Sequence, residues 1–590
     1  MYGGTARKWL VNRTNTDYVE YIARTASLSP VFAQILINRG IKSPGQLDAF
    51  LNPSLARLSD PFDLPSLSTA LERIRRALKN GERILIHGDY DADGVTATAI
   101  MVEGLRERGG DVHYFIPDRL AHGYGFGAAG IERAKAVGAG LLITVDCGIT
   151  SFDAVSSARF LGIDVIVTDH HEPVRSGEGA LSAGQEGGAD AARFLLPDAA
   201  AVVNPKAFPE AAHLSGLSGA GVAFKIMQGL SGDDPALVHR FLDLAALGTA
   251  ADVVPAVGDN RIILKEGIKL IQSGQRAGIR ALKSAAGIRS DSFKTSLLYY
   301  LLIPRINAAG RIADATDVVR LLTTQSDSEA EALAEWLNGL NMKRQEIEET
   351  VHNEALGMLG KMEIGDGAIV LASEGWHLGV VGIVASKIAE KYYRPAIVLS
   401  VQEGVAKGSG RSIPPFDMHS GLSCCRDVLQ RFGGHKQAAG VGLTAENIPE
   451  LRRRLSSLML QELNADDLIP VLNIDAAVMM SEVSIALIDE LARLEPFGYG
   501  NEEPVLGARN LEVLQPRIVG NNHLKMHVRQ NGRRVDSIGF TFGGLLQHLE
   551  ENRFIDAAFL PVINEWDGGR YLQLNLRAIR PARADGQQGA

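Results

Sequence analysis

Short apolar runs alternate with amphipathic stretches along the chain from about residue 65 to residue 270. The amphipathic stretches, such as 95–108 and 151–161, have helical spacing, and the apolar runs have the length of buried strands. The apolar runs are ILIH at 84–87, VHYFI at 112–116, LLITV at 141–145, DVIVT at 164–168 and AVVN at 201–204. This alternation predicts an α/β fold with a parallel sheet, because strands that helices cover on both faces have no polar side.

The pattern changes after residue 270. Residues 326–362 contain no proline and carry helix-forming residues with an amphipathic period, which predicts a connecting helix about 50 Å long. A second α/β unit begins with the apolar runs at 368–372 and 395–400 and reaches the glycine-rich GGHKQAAGVGL at 433–443. From about residue 470, short alternating runs with a turn at Asn531 and Gly532 predict a small β domain, of which an oligonucleotide-binding (OB) barrel is one form.

These changes predict several domains, since 590 residues are too many for one hydrophobic core. We expect an N-terminal segment (1–64), a parallel-sheet domain (65–270), a helical region with the connecting helix (271–364), a second α/β domain (365–465), an OB-like β domain (466–582) and a tail (583–590). The Gly-, Ala- and Ser-rich stretch 176–193 is expected to be a mobile insertion.

Composition narrows the class of protein. The chain is 46% apolar and 22% charged, as in soluble globular domains, and no apolar run is long enough to span a bilayer. The three cysteines, Cys147, Cys424 and Cys425, are too few for a disulfide framework and have no zinc-site spacing. The N-terminal residues also lack the apolar core of a secretory signal. We therefore expect a cytoplasmic protein without a membrane segment.

The net charge of −9 gives no general attraction for nucleic acid, so a polyanion site has to be local. One such place is the window 391–440, where seven Lys and Arg residues exceed the acidic residues to give a local charge of +4. The ordinary interpretation of such a window is a solvated face. Its position in the fold decides between a solvated face and a polyanion site.

Acidic and imidazole side chains follow three of the predicted strands. The sequence HGDYDADG at 87–94 comes directly after the first strand, Asp146 follows the third, and DHH at 169–171 follows the fourth. A further carboxylate, Asp252, lies just past a helical run. A single aspartate at such a place is usually a helix cap or turn residue. The carboxyl ends of parallel strands, however, meet at one edge of the sheet, so these groups are expected to converge.

Several converging carboxylates repel one another at neutral pH unless a cation compensates them. The predicted loops contain few Lys or Arg residues, and a set of carboxylates with one or two imidazoles suits Mg²⁺ or Mn²⁺ better than a structural zinc ion. Two such ions about 3.5 to 4 Å apart would activate water and stabilise an in-line displacement at phosphorus. The pattern therefore favours phosphodiester hydrolysis.

The motifs also resemble those of a known family. HGDYDADG, the DCG sequence at 146–148, DHH at 169–171, Asp252 and the later GGHKQAAG occur in the order found in the DHH/DHHA1 phosphoesterase superfamily. The whole order, from about residue 50 to 580, is similar to that of the bacterial RecJ family of exonucleases. The resemblance implies that 65–270 is a DHH domain and that 365–465 is a DHHA1 domain.

The resemblance implies roles for individual residues. The implied ligands of two Mn²⁺ or Mg²⁺ ions are Asp91, Asp93, Asp146, His170 and Asp252, with Asp146 bridging the ions and so acting in catalysis. His171 is the second implied catalytic residue and would face the scissile phosphate. The alternative is that His171 only contacts and orients His170. His87 and Asp89 are implied ligands or supports of ligands, and Cys147 is expected to pack beneath the loop.

The resemblance also implies contacts with DNA. In LIPRINAAGRI (302–312) the implied contacts are Arg305, Asn307 and Arg311, and in the loop GSGRS (408–412) and the following GGH they are Ser409, Arg411, Gly433, Gly434 and His435. Trp376 is interpreted as either a core residue or part of this surface. Tyr571 and Trp566 could stack on bases, although burial in the barrel is the expected role of both.

The implied activity is processive 5′→3′ release of 5′-mononucleotides from single-stranded DNA in repair and recombination. Single-strand specificity would come from a groove too narrow for duplex DNA, which leads to the metal centre between the two α/β domains. The implied substrate is single-stranded DNA with a free 5′ end, and the implied protein partners are a helicase and a single-strand-binding protein. The enzyme is expected to be a monomer.

Two other functions are compatible with the superfamily. An oligoribonucleotide or cyclic-dinucleotide phosphodiesterase would be like the 65–465 portion alone, so the additional β domain argues against it. A catalytically silent DNA-binding subunit, as in the eukaryotic replication-helicase component of this fold, would have lost metal ligands, yet every implied ligand is present in this sequence.

Overall fold

The computed structural model describes residues 7–176, 194–232, 234, 238–289, 293–361, 365, 367–566 and 568–582, except for the side chain of Trp566. These residues belong to two compact units. The first contains Asn52–Glu346 with Pro496–Asn501, and the second contains Met1–Leu51, Ile347–Glu495 and Glu502–Ala590. Nearly all of the predicted insertion at 176–193 and the whole of the predicted tail at 583–590 lie outside the described residues.

The first unit is built on a five-stranded sheet in which every strand pairing is parallel. In spatial order the strands are Val112–Phe115, Ile84–His87, Leu141–Val145, Asp164–Thr168 and Ala201–Val203. All residues of Ile84–His87 and Leu141–Val145 are buried, which explains why these strands appear in the sequence as unbroken apolar runs. The predicted parallel sheet is confirmed.

Helices surround this sheet. Leu67–Asn80 ends where Gly81 adopts a left-handed conformation with φ of 64°, and Ala92–Arg106 begins where Asp91 caps its first turn. The other α-helices described in this unit before residue 327 are Ala128–Val137, Phe152–Phe160, Gly219–Ser231, Leu242–Ala251, Gly258–Ser273, Ala277–Ala285, Ile303–Ile312 and Thr316–Thr323. Ala92–Arg106 is buried along most of its length because it packs against Gly219–Ser231 and Leu242–Ala251.

The predicted connecting helix is the 33-residue helix Asp327–Leu359. At 1.5 Å per residue it is about 50 Å long. Its buried residues Ala330, Ala334 and Leu337 belong to the core of the first unit. Val351, Ala355 and Leu359 belong to a core of the second unit, so one helix supplies apolar residues to both.

The α/β part of the second unit has a mixed five-stranded sheet. In spatial order its strands are Arg431–Gly434, Ala438–Thr444, Val405–Arg411, Ala396–Gln402 and Ile369–Glu374. Only Ala396–Gln402 and Ile369–Glu374 are parallel. The helices of this part are Leu378–Tyr392, Met418–Ser423 and Ile448–Glu462.

The structure corrects one element of this sheet, the predicted GSGRS loop. Residues 408–411 form the end of the strand Val405–Arg411. A Cβ atom on Gly408 would lie 2.0 Å from the carbonyl oxygen of Val398 on the neighbouring strand. Glycine is therefore required for the close approach of two strands, whereas the sequence alone suggested a loop.

The β domain is a barrel. Its strands are Ala476–Ala477, Leu506–Val519, His523–Gln530, Arg533–Gly539, Phe554–Trp566 and Gly569–Pro581. Pairing of Leu506–Val519 with Phe554–Trp566 closes the sheet on itself. The predicted turn at Asn531 and Gly532 is confirmed, and both residues have the positive φ that a two-residue hairpin of this type requires.

The N-terminal residues lie in the second unit. The strand Lys8–Val11 pairs in parallel with Val471–Ile474, and the helices Thr16–Ala26, Pro30–Asn38 and Pro44–Leu51 follow it. Among the described residues, no helix has the length and apolar character needed to cross a membrane.

Candidate metal centre

The acidic loops lie where the order of strands in the first unit's sheet reverses. The chain passes from Ile84–His87 to a strand on one side of it and then returns to Leu141–Val145 on the other side. Loops at such a point diverge and leave a crevice beyond the carboxyl ends of the strands. Asp89, Asp91 and Asp93 follow the first of the two strands and Asp146 follows the other, so topology brings them to the same crevice.

Asp93 is fixed by the N-terminus of the helix Gly219–Ser231. Its Oδ2 accepts a hydrogen bond of 2.6 Å from the Gly219 N–H, and its Oδ1 accepts one of 2.9 Å from the Ala220 N–H. A helix N-terminus stabilises a carboxylate through these unpaired amides and the helix dipole. A Cβ atom on Gly248 would lie 2.5 Å from Asp93 Oδ1, so that neighbouring helix requires glycine at this position.

Asp146 has an unusual backbone conformation. Its φ is +61°, in the left-handed region that few residues other than glycine adopt. A Cβ atom on Gly219 would lie 2.5 Å from both the Cβ and the Oδ1 of Asp146. Gly219 therefore both binds Asp93 through its amide and leaves the space that Asp146 occupies, which places the two carboxylates side by side.

The DHH sequence is organised by its aspartate, a residue to which sequence reasoning gave no role. Asp169 Oδ1 accepts hydrogen bonds from His170 N (2.7 Å), His171 N (3.1 Å) and His171 Nδ1 (2.8 Å). Its Oδ2 accepts one from Ile149 N (2.9 Å). Burial alone would raise the pKa of Asp169, but the bond from His171 and the charges of both imidazoles lower this pKa to about 2. Its position at a strand end was the only signal in the sequence.

The two histidines differ. Burial, followed by the charge of His171, lowers the pKa of His170 to about 4. Burial would also lower the pKa of His171, but the hydrogen bond and charge of Asp169 outweigh this and raise it to about 9. His170 is therefore a neutral imidazole and His171 a cationic one at neutral pH.

The carboxylate and imidazole atoms converge in three groups, each with its ligand atoms within 4.8 Å of one another. The groups are Asp146, His170 and His171; Asp93, His170 and Asp252; and Asp89, Asp91 and Asp146. His170 Nε2 lies 3.1 Å from Asp146 Oδ1, 3.8 Å from Asp93 Oδ2 and 3.6 Å from Asp252 Oδ2. All five residues implied as ligands by the sequence come together here, with Asp89 and His171 beside them.

The cluster carries the electrostatic signs of a cation site. Burial, followed by the charge of neighbouring carboxylates, raises the pKa of Asp89, Asp93 and Asp146 above its ordinary value. Asp89 Oδ1, Asp146 Oδ1 and His170 Nδ1 are buried without a hydrogen-bond partner among the described residues. Oxygen-rich groups with imidazole suit Mg²⁺ or Mn²⁺, so the residues fit divalent cations.

Tyr124 is a second residue of the site that sequence reasoning missed. Its hydroxyl lies 3.0 Å from His171 Nδ1, 3.3 Å from His171 Nε2 and 3.4 Å from the carbonyl oxygen of Asp146. The sequence HGYGFG at 122–127 was the available signal, because Gly123 and Gly125 both have positive φ and shape the loop that carries Tyr124. Tyr124 therefore contacts both residues implied in catalysis.

The structure separates His87 from Asp89. His87 lies outside the three groups; it is buried between Phe115 and Phe126, and burial lowers its pKa to about 4. Its Nδ1 is 3.7 Å from the sulfur of Cys147, which is fully buried as expected. His87 and Cys147 are thus buried next to each other.

The DNA-contact residues implied in the first unit have protein partners. Asn307 Oδ1 accepts a 2.8 Å hydrogen bond from the Ala92 N–H, at the start of the helix that Asp91 caps. Arg305 donates from Nε to Asn338 Oδ1 at 3.1 Å and from Nη1 to the Leu301 carbonyl oxygen at 2.8 Å. Arg311 is partly exposed, and its charge lowers the pKa of Tyr90, which burial as the larger effect raises. Asn307 thus fixes the backbone at Ala92, next to Asp91 in the loop that carries the implied ligands.

The residues implied in the second unit lie on two strands of its mixed sheet that the strand Ala438–Thr444 separates. Ser409 is opposite Gly440, which in turn is opposite Gly433 on the edge strand. Arg411 donates to Ser409 Oγ and, at 2.9 Å, to the Gly410 carbonyl oxygen. Gly433, Gly434 and His435 are exposed. The structure therefore places Ser409 and Arg411 on the central strand, with the strand Ala438–Thr444 between them and the edge strand that carries Gly433 and Gly434.

Positions were expected from the sequence for three aromatic residues, Trp376, Tyr571 and Trp566. Trp376 is 2% exposed and donates a 2.7 Å hydrogen bond to Glu354 Oε2, which agrees with the core interpretation. The expected burial of Tyr571 is wrong, since this side chain is 57% exposed. It lies near the start of the strand Gly569–Pro581, before the residues that the barrel buries. The side chain of Trp566 is outside the described part of the chain.

Three family models match successive parts of the chain. The model of the DHH family, N-terminal domain, matches residues 83–249, and the DHHA1 domain matches 365–461. The RecJ OB domain matches residues 474–578.

Curated relatives match over nearly the whole chain. A single-stranded-DNA-specific exonuclease RecJ from Bacillus subtilis is 37% identical over 574 residues, which are 97% of this chain and 70% of the relative. The protein of the same name from Escherichia coli is 34% identical over 94% of this chain and 96% of its own length. That from Thermus thermophilus is 34% identical over 95% of this chain and 76% of its own length.

Solved structures agree with the sequence relatives. The crystal structure of RecJ from Thermus thermophilus in complex with Mn²⁺ has a TM-score of 0.82 and 31% identity, and the match covers 98% of this chain and 80% of that one. The Mg²⁺ complex of the same protein has a TM-score of 0.76 and 30% identity over 98% of this chain and 79% of that one. With this identity over almost its whole length and with the three family models matching successive parts of it, the chain belongs to the RecJ family of DHH–DHHA1 proteins.

Proposed function

We propose that the chain is a single-stranded-DNA-specific exonuclease that hydrolyses phosphodiester bonds from the 5′ end and releases 5′-mononucleotides in DNA repair and recombination. The observation that supports this most directly is the carboxylate cluster, in which Asp146 and His170 each belong to two of the three groups. Shared ligands of this kind are typical of two-ion phosphoryl-transfer sites. The relatives, named as single-stranded-DNA-specific exonucleases, support the substrate.

We assign the residues to two Mn²⁺ or Mg²⁺ ions by their grouping. One ion would be held by Asp89, Asp91 and Asp146, and the other by Asp93, His170 and Asp252, with Asp146 between them. When bound, such ions supply a water activated at neutral pH and neutralise negative charge on the phosphate. Asp146 and His171 are the proposed catalytic residues.

His171 is proposed to contact the phosphate. Its Nδ1 is oriented by Asp169 at 2.8 Å, and its side chain is 36% exposed, whereas that of His170 is 7% exposed. The positive charge that Asp169 maintains on this imidazole suits a group that donates to a phosphate oxygen. Tyr124, which contacts the same ring, restricts its rotation.

We propose that the second unit holds a backbone phosphate of the strand. The candidate residues are Ser409 and Arg411 on the central strand of its sheet, and Gly433, Gly434 and His435 on the edge strand and the turn that follows it. An arginine fork and exposed glycine amides suit an anion. In the first unit, we propose that Arg311 lines the path of the strand and that Asn307 fixes the backbone at Ala92, next to Asp91. Arg305, which bonds to Asn338 and Leu301, is proposed to fix the helix Ile303–Ile312 that carries Asn307 and Arg311.

The barrel offers a place for bases. Tyr571, Arg533, Arg534, His527 and Asn564 line a cavity of about 530 Å³ together with neighbouring residues of the same strands. An exposed tyrosine beside arginines is suited to stack on unpaired bases and to neutralise their phosphates without regard to sequence. We propose that this cavity adds affinity for longer single strands.

We further propose that the enzyme is a cytoplasmic monomer that acts with a helicase and a single-strand-binding protein. Its three cysteines are free thiols, which agrees with a reducing compartment. A helicase would supply the single strand that the enzyme degrades, and a single-stranded substrate agrees with the name of its relatives.

The test compares single-stranded oligonucleotides labelled at the 5′ or the 3′ end, with Mn²⁺ or Mg²⁺ and with neither. We expect labelled mononucleotide to appear at once from the 5′ label and only late from the 3′ label. Asp91→Ala should abolish release, whereas Asp17→Ala, which removes an exposed carboxylate on the helix Thr16–Ala26, should leave it unchanged. Release from the 3′ label first would reject the direction, and full activity of Asp91→Ala would reject the assigned ligands.

The same assay separates the two alternatives. A dinucleotide or cyclic-dinucleotide phosphodiesterase would degrade those substrates faster than an oligonucleotide of about 20 residues. A silent DNA-binding subunit would retain the oligonucleotide in a binding assay without degrading it under any of the metal conditions.

A further inference from the structure

Asp252 is held differently from the buried proposed ligands Asp93 and Asp146. Its side chain is 31% exposed, whereas those of Asp93 and Asp146 are 3% exposed. It lies at the C-terminal end of the helix Leu242–Ala251, where its N–H donates to the Gly248 carbonyl oxygen at 3.1 Å. The chain then leaves the helix as a loop that ends at Val257, before the next helix begins. The position of Asp252 therefore depends on how this loop is fixed.

Two contacts fix the far end of the loop. Asn260 Nδ2 donates to the Pro255 carbonyl oxygen at 3.0 Å and to that of Gly216 at 2.5 Å. The Ala256 N–H donates to the Tyr499 carbonyl oxygen at 2.8 Å. Tyr499 belongs to the segment Pro496–Asn501, which packs in the first unit although the residues on either side of it in sequence belong to the second.

This segment, which we call the brace hairpin, is itself well fixed. Gly498 and Asn501 exchange two backbone hydrogen bonds of 3.1 and 3.0 Å, and the buried Asn501 side chain donates to the Pro496 carbonyl oxygen at 2.8 Å. Tyr299 donates from its hydroxyl to the Phe497 carbonyl oxygen at 2.9 Å. The brace hairpin is thus rigid and anchored at one side, and it contacts the Asp252 loop at the other.

Glycine is required where the brace hairpin meets its neighbours. A Cβ atom on Gly498 would lie 2.9 Å from the Tyr299 hydroxyl oxygen and 3.3 Å from the Cβ of Ala256. Gly500 has a φ of +71°, and a Cβ atom there would lie 3.4 Å from the Cβ of Pro255. The hairpin therefore lies in direct contact with Pro255 and Ala256, three and four residues after Asp252.

We propose that the brace hairpin is a positioning element for Asp252 and thereby sets the affinity of the cation at Asp93, His170 and Asp252. This inference rests on the proposed metal centre. Groups that orient a metal ligand typically change metal affinity by about 10- to 100-fold when they are altered. The other group, Asp89, Asp91 and Asp146, has no residue in this loop, so its affinity should not depend on the hairpin.

The test is a titration of the metal-free protein with Mn²⁺ by calorimetry, together with thermal unfolding. Gly498→Ala places a methyl group against Tyr299 and Ala256 and should weaken one of two Mn²⁺ sites by about tenfold, with the other unchanged. Gly339→Ala, where a Cβ atom would meet nothing within 4 Å, is the matched control and should change neither site. Adding Tyr299→Phe to Gly498→Ala removes the nearest atom of the clash and should restore part of the lost affinity.

Asp252→Ala identifies the affected site. It should remove the same Mn²⁺ site, and Gly498→Ala in that background should cause no further loss. If Gly498→Ala does not fold, Tyr299→Phe alone removes the bond to Phe497 without a clash and should weaken the same site by a smaller factor. Unchanged affinities, or equal weakening of both sites, in a variant that folds would overturn the role of the brace hairpin. A wild-type protein that does not bind two Mn²⁺ ions would instead overturn the proposed metal centre.

Discussion

At the scale of single residues, the site depends on one carboxylate, Asp169, which gives two adjacent histidines different protonation states. Asp169 binds both backbone amides of the pair but only the ring of His171. His171 therefore carries a charge at neutral pH, while His170, which faces three other carboxylates, is neutral and free to act as a ligand through Nε2. The DHH sequence thus provides a neutral imidazole that is the proposed metal ligand, a positively charged imidazole, and the carboxylate that distinguishes the two rings.

The pair of Asp169 and His171 predicts a pH-dependent contribution to stability in the metal-free protein. The pKa of His171 is raised from 6.5 to about 9, so its contribution is complete below pH 6.5 and is lost as the pH rises through about 9. The pKa of Asp169 is lowered from 3.8 to about 2, so its contribution is complete above pH 3.8 and is lost as the pH falls through about 2. We expect Asp169→Asn to lower the Tm most between these limits, from about pH 4 to 6.5.

Thermal unfolding of wild type and Asp169→Asn from pH 4 to pH 10 checks this expectation. The difference in Tm should narrow above pH 9, and a difference that stays constant to pH 10 would contradict the assigned pair. With Mn²⁺ present, the same variant should lose about 10- to 100-fold in activity. Asp153→Asn, in the first turn of the helix Phe152–Phe160, is the control.

At the scale of elements, apolar patterning was sufficient to locate the strands and therefore the convergence of their ends. The strands Ile84–His87, Leu141–Val145 and Asp164–Thr168 begin and end at the predicted residues. What the pattern could not supply is contact between distant elements. Asn307 binds the backbone of Ala92, and Tyr499 binds that of Ala256, and neither contact has a local signal in the sequence.

The apolar pattern also could not predict the direction in which a side chain points. His87 and Asp89 lie two residues apart in the same loop sequence, but His87 is the last residue of the strand and points into an aromatic pocket. Asp89 lies with Asp91 and Asp146 instead. Glycine was similarly ambiguous, since in GSGRS it allows a close approach of strands and in HGYGFG it allows positive φ.

Gly219 gives the sharpest prediction at the element scale. A methyl group there would lie 2.5 Å from Asp146 Oδ1, and the amide of the same residue binds Asp93. Gly219→Ala should therefore displace both carboxylates and lower exonuclease activity by about 100-fold, since a displacement of about 1 Å can have that effect. Gly357→Ala, at a helical position where a Cβ atom would meet nothing within 4 Å, should retain activity, and equal activity of the two variants would contradict this account.

At the scale of the whole molecule, the proposed ions are expected to contribute to the stability of the first unit. The pKa values of Asp89, Asp93 and Asp146 are raised in the folded state, so the stability linked to them is complete below pH 3.8 and is lost as the pH rises through their raised pKa values. The metal-free protein is therefore weakened at neutral pH, because these carboxylates are buried and, as the smaller effect, repel one another. Bound cations remove this repulsion.

Thermal unfolding with and without Mn²⁺ tests this consequence. At a hundred times its Kd, each ion should add about 2.7 kcal/mol to the free energy of unfolding. The rise in Tm should be larger at pH 8 than at pH 5, because protons compete with the ions for the same carboxylates. Asp146→Asn should lose most of the rise, and an equal rise at both pH values would argue against ions bound by these groups.

The barrel makes a separate prediction about substrate length. If Tyr571 stacks on bases, Tyr571→Ala should raise the KM for long single strands by about 5- to 150-fold, which corresponds to about 1 to 3 kcal/mol for one stacked base. Tyr571→Phe keeps the ring and should behave as wild type. Activity on a trinucleotide should not change in either variant. An unchanged KM for long strands in Tyr571→Ala would exclude the cavity around Tyr571 as a DNA contact.

The central claim is that carboxylates from separate parts of the first unit share two divalent cations. Anomalous diffraction from crystals grown with Mn²⁺ tests it most directly. We predict two peaks about 3.5 to 4 Å apart, one among Asp89, Asp91 and Asp146 and the other among Asp93, His170 and Asp252, with Asp146 in contact with both. A single peak, or two peaks that share no ligand, would contradict it.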